Sequence, residues 1–133
     1  MITALDSSVL LDVITDSAAY AESSERLLRQ AQAEGALIVC ECVVAEIRPA
    51  FGRADFDEFL TDWQLGFVPS SRESAALAGE HFARYLKRGG RAGRVLPDFL
   101  IGAHALRHAD RLLARDRGYL RDYFSKLALW QPA

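Results

Sequence analysis

The sequence predicts an α/β sandwich with a largely parallel sheet. Three observations carry this. Short apolar runs, ITALD, ALIVC, FVPS, RLLA and LALW, recur along the chain. Longer amphipathic segments separate them, as parallel strands with helical crossovers require. Two of the runs end on or beside a carboxylate, Asp6 and Asp116, and ligands of such folds bind beyond the carboxyl ends of the strands.

ITALD is a first buried strand. SSVLLDVIT follows with helical character, and Ser7 or Ser8 is a natural N-cap. In AAYAESSERLLRQAQAEG, Leu27, Leu28 and Ala31 fall at helical spacing and Gly35 is a good stop. ALIVC has the β-branched content of a buried strand. ECVVAEIRPAF is a helix that Pro49 ends or kinks. DFDEFLTDWQLG carries Phe56, Phe59, Leu60 and Trp63 on one stripe. FVPS is a third strand, and SRESAALAGEHFARYLKR a long helix capped at Ser70 or Ser71. KRGGRAGR is a loop with three glycines and four bases in eight residues. LPDFLIGAHALRHAD is a helix with Pro97 near its start, where Gly102 and Ala103 are small enough for close approach to the sheet. RLLA is a fourth strand, RDRGYLRDYFS a loop or a turn of helix, and LALW a last strand.

The 133 residues fit one domain, 1–133, and half are hydrophobic, enough for one core. No run approaches the ~20 apolar residues of a membrane span, and no basic-then-apolar leader opens the chain. Cys40 and Cys42 are too close to bridge readily and lack partners at zinc spacing. They read as small buried residues of a reducing, cytoplasmic protein. Charge is uneven. Residues 1–80 hold 14 acids and 5 bases, a net of −9, whereas residues 81–133 hold 4 acids and 11 bases, a net of +7. Such asymmetry hints at a polyanionic partner.

Four carboxylates adjoin a strand end or an apolar helix: Asp6, Glu46 within VVAEI, Asp98 opening PDFLIGAHAL, and Asp116. Gathered in one pocket they would repel each other unless a cation sat among them. Oxygen-only ligation suits Mg²⁺ or Mn²⁺ better than zinc. Such an ion polarises a phosphoryl oxygen and acidifies water. Each acid also has an ordinary role open to it: Asp6 as a helix cap, Glu46 on a solvated helix side, Asp98 in a first turn, Asp116 paired to an arginine of ARDR. The residues alone leave both readings open. His104 and His108 stand four apart, but HALRH lacks the glutamate of a zinc-protease helix. They read as packing or solvent-facing, and His81 as a helix-surface residue. Asp12 and Asp16 read as solvent-facing or salt-bridged. KRGGRAGR lacks the GK[ST] of a P-loop; Arg91 and Arg94 make it a candidate RNA-guiding loop.

LDSSVLLD, VVAEI, LPDFLIGAHAL and LLARDRGYLRDYF together resemble PIN-domain ribonucleases, most of all the VapC-type toxins of toxin–antitoxin pairs. The resemblance spans nearly the whole chain. It implies a three-layer α/β/α sandwich around a parallel sheet of four or five strands. It also implies a Mg²⁺- or Mn²⁺-dependent endoribonuclease that is the toxin of a type II pair. Asp6, Glu46, Asp98 and Asp116 match the family's four acidic positions, and Ser8 the polar position two after the first acid. Where the family often has threonine or serine two before the last acid, this chain has Ala114. The implied partners are an RNA substrate, a VapB-type antitoxin and a second copy of the chain. Other functions compatible with the residues are a PIN-fold RNA-processing nuclease without an antitoxin and a catalytically silent binding module.

Overall fold

A computed structural model describes residues 1–133 apart from Ala92, Arg94 and Ala133. The elements run β1 (Ile2–Leu5), α1 (Ser7–Ile14), α2 (Ala21–Glu34), β2 (Ala36–Val39), α3 (Glu41–Ile47), a 3-10 turn (Arg48–Ala50), α4 (Arg53–Asp62) and β3 (Leu65–Phe67). They continue with α5 (Arg72–Lys87), α6 (Leu96–His108), β4 (Arg111–Leu113), α7 (Tyr119–Tyr123) and β5 (Leu129–Trp130). The five strands lie in the order β3-β2-β1-β4-β5, and every pairing is parallel.

The chain thus builds outward from β1 to β2 and β3, then returns to lay down β4 and β5 on the other side. Right-handed crossovers put the helices of these two excursions on opposite faces, giving three layers. β1 is central, so Thr3, Ala4 and Leu5 are buried with Val9, Leu28, Val39, Ile47, Phe99 and Leu112 in one core. The crevice between β1 and β4, at their carboxyl ends, is the topological switch point of the sheet.

The first helix is capped differently from the expectation. Asp6, not Ser7 or Ser8, is the N-cap of α1; its carboxylate accepts from the Ser8 N–H. Its own N–H donates to Leu113 O at 3.0 Å, tying the end of β1 to β4. Ser71 caps α5 in a reciprocal capping box with Ser74. Pro49 does end α3, which passes into the 3-10 turn.

Other boundaries move. The third strand is Leu65–Phe67 and not FVPS, because Leu65 and Phe67 pair with Leu37 and Val39. Val68 then donates its N–H to Val39 O, and Glu41 holds the Ser70 N–H at 2.9 Å, so FVPS leads into the cap of α5. The helix expected over residues 55–66 starts at Arg53 and stops at Asp62, where Gln64 turns the chain with φ 54°. The nearest neighbours of Gly102 are not strand residues. A Cβ there would lie 2.8 Å from both Leu120 and Phe124, so the glycine lets α7 dock on α6.

Candidate functional site

Asp6, Glu46, Asp98 and Asp116 all line one cleft of about 350 Å³ at the switch point. The fold explains each position. Asp6 ends β1 and Asp116 follows β4 on the neighbouring strand. Glu46 reaches the cleft from the last turn of α3 and Asp98 from the first turn of α6. Ser7, Ser8, Arg115, Arg117 and Tyr119 complete the wall.

The four acids are not held alike. Ser8 donates from its hydroxyl and its N–H to Asp6 Oδ2, and its own Oγ accepts the Arg115 N–H at 3.1 Å. Both Ser8 bonds fall on Oδ2, and no side chain of the described residues donates to Oδ1. Ser7 donates to Glu46 Oε1 at 2.9 Å, leaving Oε2 open. Among the described residues nothing donates to the Asp98 carboxylate, so both its oxygens are available to a ligand.

Asp116 differs. Its Oδ1 accepts from Gly118 and Leu120 and its Oδ2 from Arg121, all backbone N–H groups at 2.9–3.0 Å. Three of about four acceptor positions on that carboxylate are taken. Asp116 therefore braces α7 first and has one lone pair left for anything in the cleft.

The electrostatics follow the packing. Burial raises the Asp98 pKa to about 6, helped by Asp6, Glu46 and Asp116 and opposed by Arg117. Burial also raises Asp6, against hydrogen bonds from Ser8 and Ser7 and the charge of Arg115. Glu46 is raised by burial and by Asp6, while Ser7 and Arg117 act the other way. Three carboxylates thus resist ionising in each other's company, the mark of a site short of positive charge.

An oxygen-only donor set with open oxygens on Asp6, Glu46 and Asp98 fits a hard divalent cation. The fit is loose. Among the described residues, the one trio with ligand atoms all within 4.8 Å of one another is Cys40, Glu41 and Cys42, not the acids. The acids ring the cleft at a wider radius, spacing that suits water-bridged ligation of Mg²⁺, an ion that keeps several waters. In the cysteine trio, Glu41 is engaged by Ser70. Both thiols are free, Cys40 buried and Cys42 half-buried. The neighbouring Cys40 and burial hold Cys42 protonated.

Two arginines that the sequence left unassigned matter here. Arg115 does not pair with Asp116. It grips the buried Asp12 with two bonds of 2.9 and 2.7 Å, and Ser24 donates to the same carboxylate at 2.7 Å. Asp12 is therefore salt-bridged and not solvent-facing. Arg117 is the cation that faces Asp98 and Glu46. Arg115 and Arg117 stand two apart, yet one turns to Asp12 and the other to the acids, and nothing local in ARDR separates them. His104 is buried and its Nε2 contacts Val68 O at 2.7 Å, a packing role. Half-buried His81 packs edge-on against Phe124 at 4.6 Å. Arg91 is exposed and does not line the cleft; Arg94 lies outside the described residues.

The fold and the acid-lined cleft at its switch point define a PIN domain. The PIN-domain family model matches residues 3–124, and the chain belongs to that family. Comparison with curated protein sequences finds no match. Among solved structures, a chain of VapBC2 from Rickettsia felis, bound to a DNA fragment from its promoter, is similar with a TM-score of 0.75 at 20% identity. The alignment covers 100% of both chains. A chain of VapBC from Salmonella typhimurium, also DNA-bound, gives 0.69 at 12% identity over 98% of each chain. A chain of FitAcB from Neisseria gonorrhoeae gives 0.66 at 18%, covering 98% of this chain and 96% of that one.

Proposed function

We propose that this chain is a divalent-metal-dependent endoribonuclease, the toxin of a type II toxin–antitoxin pair. The observation that carries the reading is the convergence of Asp6, Glu46, Asp98 and Asp116 on one cleft, with Asp98 pushed up to about 6. The similar structures described as VapBC and FitAcB complexes supply the context for a toxin and for a VapB-type antitoxin partner.

In this mechanism the open oxygens of Asp6, Glu46 and Asp98 would hold Mg²⁺ or Mn²⁺, in part through water, and Asp116 would contribute through water as well. When bound, such an ion polarises a phosphate oxygen and lowers the pKa of water near it. Ser8 fixes the Asp6 rotamer and Ser7 that of Glu46. Arg117 offers its guanidinium to the scissile phosphate, where a planar fork suits two oxygens. Asp116 keeps α7 and Tyr119 at the rim. Among the described residues no histidine lines the cleft, so proton transfer falls to carboxylates and water. In-line attack by water leaves a 5′-phosphate and a 3′-hydroxyl.

The test is cleavage of total bacterial RNA by the purified, partner-free protein with Mg²⁺, Mn²⁺ or EDTA, beside Asp6→Asn. Discrete fragments with 5′-phosphate ends that need both metal and Asp6 are expected. Cleavage that survives EDTA or Asp6→Asn would overturn the reading. Co-expression with a short upstream frame, followed by light scattering, tests the antitoxin and the homodimer that the proposal includes.

A further inference from the structure

A second depression, of about 540 Å³, lies outside the catalytic cleft. Its floor is apolar, with Leu77 of α5, Leu106 of α6 and Phe124. Its rim is basic, with Arg84, Arg107 and Lys126, all exposed. Among the described residues, no carboxylate lines it. Among the described residues, none of these three cations is in an ion pair.

Arg84 is positioned. Its guanidinium donates to His81 Nδ1 and stands 5.7 Å from the centre of the Tyr123 ring. Burial and the charge of Arg84 hold the His81 pKa below its ordinary value. Arg88 stands 5.4 Å from the same ring and extends the basic rim.

One short helix, α7, with the residue after it, contributes to the walls of both depressions. Tyr119 and Leu120 of α7 line the cleft, and Tyr123 and Phe124, four residues on, line the groove. Residues four apart share a helix face, roughly 5–6 Å apart along the axis. The charges are opposite in sense. A polyanion whose reacting phosphate enters a ring of four carboxylates is repelled there, so its affinity must come from cations beyond the ring.

We infer that the Arg84–Arg107–Lys126 groove binds phosphates of the single-stranded RNA flanking the scissile bond. This rests on the nuclease reading above. The groove acts as an anchor: it holds the backbone electrostatically while α7 sets the distance to the cleft. Charge complementarity, and the short step along α7 from the cleft, favour RNA over a protein occupant.

The probe is a fluorescein-labelled, random-sequence single-stranded RNA, measured by anisotropy in the Asp98→Asn background so that the strand stays intact. Arg107→Ala with Lys126→Ala should weaken binding roughly tenfold and flatten the salt dependence of log affinity by about 1. Arg26→Ala with Arg53→Ala, which removes the same charge from exposed sites elsewhere, should leave both unchanged. In the active background the groove variant should raise KM for long RNA and spare kcat. Equal affinity and salt slope in groove variant and parent would overturn the inference. So would RNA affinity intact but antitoxin binding lost, which would give the groove to a protein. Groove-dependent RNA binding without metal-dependent cleavage would instead sink the nuclease reading and leave the groove standing.

Discussion

At the residue scale, Asp98 carries the most informative charge. Its pKa is raised from the usual 3.8 to about 6. The sign follows from proton linkage: the folded state holds this proton more tightly than the unfolded chain. The stabilisation is full below 3.8 and is lost as pH rises through about 6. Asp98→Asn mimics the neutral form at every pH. In EDTA the variant should match the parent at acid pH and become more stable toward neutrality. Solvent screening at this half-buried group keeps that gain to about 1 kcal/mol. Chemical denaturation at a series of pH values checks it, and the same variant should not cleave RNA. A variant less stable than the parent at pH 7 would contradict the assignment. Arg115 belongs to this scale too. Arg115→Ala strands the buried Asp12 carboxylate with only Ser24, and should cost about 2–4 kcal/mol in urea unfolding. Neither pairing was readable from ARDR, because the partner of Arg115 sits 103 residues away in sequence.

At the element scale, α7 is the hinge between cleft and groove. It is five residues long, too short to stand by itself. Three backbone N–H groups on the Asp116 carboxylate and the docking of Leu120 and Phe124 over Gly102 hold it. Gly102→Ala should push α7 off α6, cost about 1–3 kcal/mol, and lower cleavage more than its stability loss explains, because Asp116 and Tyr119 move with it. Thermal melts and initial rates on one preparation check this; unchanged rates would show that α7 does not position the site. The sequence left this segment as loop or helix because the deciding event is the turn at Gly118, with φ 106°, and a capping acid outside the helix. The third strand shows a related blindness. Leu65–Gly66–Phe67 is a largely exposed edge strand, so no buried apolar run marks it, and the β-branched Val68 shifts the expectation two residues on. The buried strands β1, β2 and β4 were legible because they are continuous apolar runs in a parallel sheet.

For the whole molecule, the strand order places the chemistry. With β1 central and the chain reversing direction across it, the ends of β1 and β4 share a crevice with the last turn of α3 and the first turn of α6. Four acids scattered over residues 6–116 were readable as a group because each adjoined a strand end or an apolar helix. What they do individually was not readable, since Asp116 turns toward α7 while Asp98 stays unbonded among the described residues. The same view unites the charge asymmetry with the fold, because the basic half of the chain supplies the rim of the groove beside α7. A ligand that binds only the folded state stabilises it. Saturating Mn²⁺ should therefore raise the melting temperature of the parent and leave Asp6→Asn nearly unmoved.

The measurement that bears most directly on the metal-binding cleft is calorimetric titration of Mn²⁺ into the partner-free protein, its Asp98→Asn variant and a Cys40→Ser, Cys42→Ser double variant. Binding that is lost in Asp98→Asn and kept in the cysteine variant is the predicted result. Binding kept in Asp98→Asn and lost in the cysteine variant would place the metal at Cys40–Glu41–Cys42 and contradict the carboxylate site.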